Sequence, residues 1–317
     1  MATAGLASHP PRAERPAKAT SGRVGGVLLL LGALPCFLTL PWSLSRYDDQ
    51  RSGEPGMVLA SPSWQHPMGT DDLGRSLLWR CLLGGAVSLG IGISAAFIAV
   101  GIGVAWGALS GYRGGKTDAA MMRTVDVLYG LPYVLLVVMV SLALQPLMLG
   151  LTRDVLGLSD TLSVNLAGIL TLLIAIGGVS WLTMSRVIRG QVLSLRSQPF
   201  IEATRAVGMG PVRVLWRHLL PNLVGVVVVY ATLAVPLAIL QESFLSFLGI
   251  GIRPPLPSWG NLAAEGVKEL PALSSPDLSM HWWLLVFPCV FLGVTLMALN
   301  FLGDALRDRF DPKRRQR

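Results

Sequence analysis

The stretch GYRGGKT, residues 111–117, has the glycine and lysine pattern found at the end of a phosphate-binding loop. The full pattern, G-x-x-x-x-G-K-[ST], requires a glycine five residues before Gly115, but that position is Ser110. The pattern also requires a strand before the loop, whereas a long apolar stretch precedes this one. We therefore interpret the stretch as a tight turn and reject a nucleotide site.

Metal-binding and nucleophilic side chains are too scattered to form a recognisable site. The three cysteines and four histidines lie far apart, with no metal-ligand spacing among them. Neither G-x-S-x-G nor H-E-x-x-H occurs in the sequence. We predict no metal site and no catalytic residue, and we interpret the cysteines as buried packing residues. The residues considered are Cys36, Cys81, Cys289, His9, His66, His218 and His281.

Acidic residues at two places in the sequence need separate interpretations. Asp71 and Asp72 are adjacent in HPMGTDDLGRS. They could be metal ligands or a catalytic acid pair, but we favour a turn or the start of a helix, where aspartate caps free backbone amides. Glu242 lies inside the apolar run LAILQESFLSFLG, where an ionisable side chain is a functional candidate. A place in a permeation pathway and a hydrogen-bonded structural role both remain open for Glu242.

The composition identifies the elements that must carry these residues. Of the 317 residues 52% are hydrophobic and 14% are charged, whereas a soluble domain has about 25% charged residues. Six apolar runs approach or exceed the length of about 20 residues that a membrane helix needs. We predict an all-α membrane protein with six transmembrane helices, the first of them uncleaved. The runs lie near residues 24–44, 83–110, 127–150, 165–185, 223–248 and 282–303.

The net charge of +8 is distributed in a way that predicts topology. The tails and the even-numbered loops hold 19 of the 26 Lys and Arg residues. Because positively charged loops stay on the cytoplasmic side, we expect both termini to be cytoplasmic. The same distribution argues against nucleic-acid binding, since no soluble basic domain is present.

Three glycines in the second run have the spacing of a helix-packing face. Gly103, Gly107 and Gly111 recur every four residues and so share one helical face. Small residues on such a face let a neighbouring membrane helix approach closely. The alternative is that these glycines only reflect a glycine-rich composition.

The stretch IEATRAVGMGPVRVLWRHLLPN, residues 201–222, is a charged, helix-like segment between two apolar runs. Pro199 suits a first helical turn, and Gly208 suits the left-handed residue after a last turn. We predict two short helices joined by Gly-Met-Gly, the second beginning at Pro211 and ending at Pro221. The apolar faces that we expect are Phe200, Ala203, Thr204 and Val207 on the first helix, and Val212, Leu215, Trp216 and Leu219 on the second.

The same segment resembles the cytoplasmic loop of bacterial ABC importer permeases. That loop has the pattern E-A-A, three residues, G, nine residues, then an apolar position two residues before L-P. Thr204 replaces the second alanine, and His218 replaces the apolar residue. The residues that match the pattern in type or position are Glu202, Ala203, Thr204, Gly208, Leu220 and Pro221.

The flanking sequence resembles the C-type permease subunit of the dipeptide, oligopeptide and nickel import systems over approximately residues 60–313. Ser76 stands where this family usually has aspartate, and the region 144–166 is longer than typical. The stretches that carry the resemblance are HPMGTDDLGRS, VIRGQVLSLR, RHLLPN, ESFLSFLGIGIRPPLPSWGN and NFLGDALRDRFDP.

The resemblance implies a type I ABC importer permease fold in the bacterial cytoplasmic (inner) membrane. A homologous permease would complete the pathway as a heterodimer, two cytoplasmic ATPase subunits would bind ATP and Mg, and an extracytoplasmic binding protein would deliver the substrate. This chain itself would bind no cofactor. The segment from Glu202 to Pro221 would be the coupling helix that contacts one ATPase, although an amphipathic pair on the membrane surface is the alternative.

The expected organisation follows from the spans and the resemblance. We expect a disordered cytoplasmic tail (1–23), a first transmembrane helix (24–44), an extracytoplasmic loop (45–82), a five-helix core (83–305) with a coupling loop at about 190–222, and a basic cytoplasmic tail (306–317).

Three classes of function are compatible with a multi-span chain. An importer of di- or oligopeptides is the function that we favour, with nickel chelates or glutathione as alternative substrates in the same family. A self-sufficient secondary carrier or channel would transport without partners. A membrane-embedded enzyme would need polar catalytic groups that converge within the spans, and the sequence contains no such pattern.

Overall fold

The computed structural model describes residues 17–269 and 281–310. In this part of the chain the regular elements are helices, and one isolated bridge joins Thr70 to Ser76. Two π-helical turns, Leu151–Val155 and Leu215–Leu219, follow α6 and α9. The α-helices are α1 (Ala17–Gly32), α2 (Leu34–Leu38), α3 (Leu40–Arg46), α4 (Leu77–Arg113), α5 (Gly115–Tyr129), α6 (Tyr133–Gly150), α7 (Asp160–Arg196), α8 (Pro199–Ala206), α9 (Pro211–Val214), α10 (Leu220–Phe247), α11 (Trp259–Lys268) and α12 (Trp283–Phe310).

Five helical stretches among the described residues are long and apolar enough to cross a membrane, and a bent pair adds a sixth if it is one span. These stretches follow one another in the order of the six predicted apolar runs. The prediction of an all-helical, multi-pass membrane protein is confirmed. The stretches are Leu77–Arg113, Tyr133–Val155, Asp160–Arg196, Pro211–Phe247 and Trp283–Arg309, with the bent pair Gly22–Leu38 and Leu40–Arg46.

The bend of 57° in the first span lies at Thr39. Pro41 has no amide hydrogen to donate to the carbonyl oxygen of Phe37, and its ring crowds that carbonyl. The hydroxyl of Thr39 donates a hydrogen bond to the carbonyl oxygen of Pro35, over 2.7 Å. The side chain of Thr39 therefore has a polar partner within the apolar run. Residues 1–16, in the predicted disordered tail, lie outside the described residues, and α1 begins at Ala17.

The predicted third span is divided between two helices. α5 ends at Tyr129, and α6 begins at Tyr133. Pro132 lacks an amide hydrogen and disfavours the helical conformation of Leu131, so one helix cannot run through the apolar stretch. The expectation of a single helix over 127–150 was wrong for this reason. The tight turn predicted from GYRGGKT is present between α4 and α5, where Gly114 and Gly115 have φ of 67° and 56°.

α4 is the central helix and packs most extensively against α7. The structure places Gly103, Gly107 and Gly111 against α7. A Cβ added at Gly103 would lie 2.5 Å from the Cβ of Met184, and one added at Gly107 would overlap the carbonyl oxygen of Ser185. Only residues without a side chain permit so close an approach of the two backbones.

α11 closes the end of the bundle at which α4 begins, and we name this the α11 end. The indole nitrogen of the buried Trp259 donates to the carbonyl oxygen of Cys81 on α4, over 3.0 Å. Ser258 and Asn261 form a reciprocal capping box at the start of α11. The loop before α11 is thereby fixed to the bundle. The opposite end, where α4 meets α5 and α7 leads into α8, is the α8 end.

Candidate functional site

The linking segment, residues 197–219 between α7 and α10, folds as two short helices joined by a glycine turn. α8 and α9 begin at Pro199 and Pro211, as predicted. Gly208 has a φ of 81°, a conformation that glycine adopts at no steric cost. The predicted helix starts and the left-handed glycine are confirmed.

Three fully buried side chains anchor the linking segment to the bundle. Ile201, Val214 and Leu219 have an exposed fraction of 0%. They belong to one apolar cluster that includes Ile188 and Val192 near the end of α7. Burial of an aliphatic side chain of this size contributes about 1.5–3 kcal/mol, so the segment is held firmly against α7.

Four other apolar side chains of the linking segment point away from the bundle. The exposed fractions are 40% for Phe200, 84% for Val207, and 69% for both Val212 and Trp216. The sequence placed these residues on the apolar faces of the two short helices, and the structure leaves them exposed while it buries the side that carries Ile201. We name the four residues the apolar face of the segment. Exposed apolar side chains this close together in the sequence are candidates for a contact surface.

The six residues of the sequence pattern lie around this turn. The hydroxyl of Thr204 donates to the carbonyl oxygen of Ile201, over 2.7 Å. The threonine can therefore take the place of an alanine in the helix with its hydroxyl group hydrogen-bonded. No atom lies within 4 Å of a Cβ added at Gly208. Glu202, Ala203, Gly208 and Pro221 are exposed, and Thr204 and Leu220 are half-buried.

The second helix of the linking segment does not end at Pro221, contrary to the prediction. α9, the π-helical turn Leu215–Leu219 and α10 form one continuous stretch, Pro211–Phe247. The π-helical turn lies just before the position where Pro221 supplies no amide hydrogen. The side-chain amide of Asn222 donates to the carbonyl oxygen of His218, over 2.7 Å. The linking segment is therefore a direct extension of a membrane span.

A salt bridge joins α5 to α7 near the point where α7 leads into the linking segment. Arg189 on α7 donates to both carboxylate oxygens of Asp118 on α5, and the hydroxyl of Ser110 on α4 donates to the same carboxylate. The hydrogen bonds from Arg189 hold the pKa of Asp118 below its ordinary value. Arg196, at the end of α7, donates to the carbonyl oxygen of Gly111 on α4. α4, α5 and α7 are joined at the α8 end by these contacts.

A cavity of about 590 Å³ lies among α4, α6, α7 and α10. Its lining is apolar except for hydroxyl and amide side chains, and it contains no charged residue. The hydroxyl of Tyr133 donates to the amide oxygen of Gln241, over 2.6 Å. Ser180 lies 3.2 Å from the Tyr133 hydroxyl and 3.5 Å from the same amide oxygen. The spans thus line a partly open, neutral space with one polar cluster.

A family model described as the binding-protein-dependent transport system inner membrane component matches residues 103–316. The matched range includes the linking segment and the cavity-lining helices α6, α7 and α10. The chain belongs to this family. It is a multi-pass membrane permease component of a transport system and not an enzyme.

Three curated relatives resemble the permease over most of its length. The oligopeptide transport system permease protein OppC of Haemophilus influenzae is 40% identical, over 91% of this chain and 84% of the relative. The dipeptide transport system permease protein DppC of Bacillus subtilis is 41% identical, over 80% and 71%. OppC of Escherichia coli K12 is 42% identical, over 91% and 86%.

A solved structure shares the fold of the permease. It describes inward-facing conformations of the MetNI methionine ABC transporter and aligns with a TM-score of 0.52. The alignment covers 74% of this chain and 98% of that chain at 19% sequence identity. The permease therefore has a fold like that of a type I ABC importer permease.

Glu242 of the permease lies outside the cavity lining. Its carboxylate is fully buried and accepts hydrogen bonds from Ser246, over 2.8 Å, and Ser243, over 3.3 Å. Ser88 of α4 and Ser258 at the start of α11 also contact it. This arrangement ties α10 to α4 and α11. Of the two roles left open for Glu242, the geometry favours the structural one.

Gln241, which was not among the candidates predicted from the sequence, lies next to Glu242 and does line the cavity. Gln241 lies four, seven and eleven residues after Leu237, Ala234 and Tyr230, which also line the cavity. This spacing places all four on one helical face. A polar residue on a helical face that also carries an alanine and a tyrosine could have indicated the cavity. The neighbouring Glu242 was chosen as the candidate because it is ionisable.

Asp71 forms the predicted turn and also belongs to a buried ion cluster. Its Oδ1 accepts hydrogen bonds from the backbone amides of Leu73 and Arg75. Its Oδ2 accepts from Arg75, over 2.7 Å, and from Arg80, over 2.5 Å. Arg80 also donates to Glu265 on α11, over 2.6 Å. The cluster joins the loop before α4 to α11, a pairing across 185 residues that no local pattern indicates.

Metal-ligating residues do not converge in the described part of the permease. No group of three or more His, Cys, Asp or Glu side chains suited to a metal ion occurs there. Asp72 projects from the surface, with 60% of its side chain exposed. Cys36 and Cys81 are buried as predicted, whereas Cys289 is exposed, so the packing interpretation was wrong for that cysteine.

Proposed function

We propose that this permease is the C-type subunit of an ATP-driven importer of di- or oligopeptides in the bacterial inner membrane. The observation that carries the proposal is the apolar face of Phe200, Val207, Val212 and Trp216, displayed on a segment that continues directly into a membrane span. The resemblance to oligopeptide and dipeptide transport permeases supports the substrate class.

The partners follow from the same proposal. A homologous permease completes the translocation pathway beside the partly open cavity of this chain. Two ATPase subunits bind ATP and Mg in the cytoplasm, and an extracytoplasmic binding protein delivers the peptide. This chain binds neither ATP nor Mg in the proposed assembly.

The linking segment acts as the coupling element in this proposal. Glu202, Ala203 and Thr204 belong to the helix that inserts into a groove of one ATPase, and Gly208 sets the turn between the two short helices. Leu220 and Pro221 lie where the segment becomes α10. The exposure of Glu202 and Ala203, together with the buried anchor Ile201, supports this role, since a coupling element needs one fixed side and one free side.

The proposed topology places both termini and the α8 end in the cytoplasm. The distribution of Lys and Arg residues supports this orientation. The loop 45–82 and α11 then lie on the extracytoplasmic side, where the binding protein docks, and the five-helix core spans 83–305. The coupling loop at about 190–222 lies on the ATPase side, as does the basic tail 306–317.

The proposed mechanism uses the continuity of the stretch Pro211–Phe247, in which Pro236 lies inside α10. At 1.5 Å per residue a helix of this length is roughly 55 Å long, so movement at the linking segment reaches the cavity-lining part of α10. ATP binding closes the ATPase dimer and draws the coupling elements of both permeases together. The spans tilt from inward-open to outward-open, and hydrolysis resets them, which is alternating access.

The test is reconstituted transport with a glycine variant. The chain is co-expressed with the homologous permease and the ATPases of its gene neighbourhood, and ATP-dependent tripeptide uptake is measured in proteoliposomes with the binding protein. We expect Gly208→Asp to lower uptake about tenfold or more, because an unpaired carboxylate enters the ATPase contact. Gly157→Asp is the matched control, since Gly157 also has a positive φ, 62°, and open space around it.

Three outcomes contradict the proposal. If Gly208→Asp and Gly157→Asp lower uptake equally, the linking segment has no specific role in coupling to the ATPase. Transport by the chain alone identifies a self-sufficient carrier. Uptake of nickel chelates or glutathione without uptake of di- or tripeptides reassigns the substrate within the family.

A further inference from the structure

The cavity among α4, α6, α7 and α10 contains one polar cluster, formed by Tyr133, Ser180 and Gln241 from three different helices. Its volume of about 590 Å³ is within the range of sites that hold small organic ligands, about 300–1,000 Å³. Most of the wall is aliphatic, including Leu136, Leu233 and Leu237. These side chains have no hydrogen-bond donor or acceptor that a cargo side chain would have to match.

The geometry of the cluster orients the Gln241 amide. Tyr133 and Ser180 both donate to its Oε1, over 2.6 and 3.5 Å. The Nε2 group then carries two donors, and among residues 17–269 and 281–310 no atom accepts a hydrogen bond from it. Gln241 is half-buried and lines this cavity, and it also borders a smaller apolar cavity of about 280 Å³, so its amide group lies at the boundary of the two spaces.

A neutral amide donor in an uncharged, apolar cavity matches one group that every peptide carries. The carbonyl oxygen of a peptide bond accepts a hydrogen bond from an amide N–H whatever side chains flank it. The lining contains no acidic or basic residue that selects for the charge of the cargo. Such a cavity recognises the backbone and remains indifferent to the side chains.

We propose that Gln241, oriented by Tyr133 and Ser180, is the residue of this permease that hydrogen-bonds a backbone carbonyl oxygen of the peptide during its passage. The inference rests on the proposed function, because it presumes a peptide cargo. Tyr133 and Ser180 act as positioning residues through the amide oxygen of Gln241. The neutral cluster makes passage independent of the charge of the peptide side chains.

The first test separates recognition from assembly. Peptide uptake and ATP hydrolysis are measured in proteoliposomes that contain the complete importer, with a neutral tripeptide at a subsaturating concentration. Gln241→Leu is expected to lower uptake per ATP hydrolysed by about threefold to tenfold, the effect of one lost neutral hydrogen bond, with ATP hydrolysis retained. Tyr133→Phe is expected to cause a smaller loss of the same sign, because the amide is then less firmly oriented.

The matched control is Gln145→Leu. Gln145 is a half-buried glutamine on α6 that does not line the cavity, so the same chemical change there is expected to leave uptake per ATP unchanged. A Gln241→Leu importer that transports as well as the wild type overturns the proposal. Loss of uptake that only parallels loss of ATP hydrolysis or of assembled complex also overturns it.

The second test is a change of charge selectivity, which a purely structural role would not produce. Gln241→Glu keeps the oxygen that accepts from Tyr133 and Ser180 and adds a negative charge to the cavity. Uptake of Ala-Lys-Ala relative to Ala-Glu-Ala is expected to rise at least threefold above the wild-type ratio, because a carboxylate attracts the first peptide and repels the second. An unchanged ratio contradicts the placement of Gln241 in the pathway.

Two results separate failure of the proposed function from failure of this inference. If the wild-type importer takes up no peptide, both the proposed function and this inference are wrong. A wild-type importer that takes up peptides while Gln241→Leu and Gln241→Glu behave as the wild type removes only the inference.

Discussion

The guanidinium of Arg189 on α7 donates two hydrogen bonds to the carboxylate of Asp118 on α5, over 2.5 and 2.6 Å. The two residues are 71 positions apart in the sequence. A paired geometry of this kind is among the stronger charge-assisted contacts in proteins. The contact holds α5 and α7 together near the point where α7 leads into the linking segment. The position of the segment therefore depends on this salt bridge.

Asp118→Asn is expected to lower the stability of the permease at neutral pH by about 1 kcal/mol, because the pair is partly exposed. The folded-state pKa of Asp118 lies below its ordinary value of 3.8. The stabilisation is therefore present above pH 3.8 and is lost as the pH falls through the folded-state pKa. Thermal unfolding in detergent at pH 7, 4 and below should show the wild type losing its advantage only at the acidic end. An advantage that is constant at every pH contradicts the prediction.

Asp71→Ala is expected to destabilise the α11 end. The change removes a buried carboxylate from Arg75 and Arg80 and leaves two amides of the turn without their acceptor. Breaking a buried ion pair from one side costs about 3–5 kcal/mol. Thermal unfolding or protease sensitivity of the loop before α4 measures the effect. Asp72→Ala, at an exposed neighbour, is the control, and equal effects of the two variants would sink the prediction.

Gly107→Ala is expected to separate α4 from α7. The added Cβ would overlap the carbonyl oxygen of Ser185 and lie 2.9 Å from the Cβ of Ile188. Overpacking of this kind costs about 1–3 kcal/mol. Gly101→Ala adds the same methyl group on the same helix where no atom lies within 4 Å, so it should leave stability unchanged or raise it. The melting temperatures of the two purified variants decide the matter, and similar values contradict close packing.

Trp216→Ala is expected to weaken ATPase binding without weakening the fold. Its side chain is 69% exposed on the apolar face, and an interface tryptophan often contributes 2 kcal/mol or more, a loss of about thirtyfold in affinity. Affinity between the ATPase and the detergent-solubilised permease pair is the measurement. Trp64→Ala, at the α11 end where that tryptophan is fully exposed, should bind normally. If Trp216→Ala also binds normally, Trp216 is not part of the ATPase contact.

The transmembrane runs and the local signals of the linking segment were predictable from the sequence. Apolar runs of sufficient length specify membrane helices because hydropathy is a property of neighbouring residues. The start of α8 at Pro199 and the turn at Gly208 follow from backbone constraints that each residue carries by itself. The glycine spacing on α4 marked a packing face, although it did not name α7 as the partner.

Only the tertiary structure decided which faces meet and which remain open. Ile201 is buried whereas Phe200 and Val207 are exposed, because the end of α7 contacts one side of α8 and leaves the other uncovered. Gln241 enters the cavity and Glu242 turns away from it, since a step of 100° around α10 separates neighbours that sequence alone treats alike. Contacts between residues far apart in the chain depend on how the helices pack, and no local pattern contains that information.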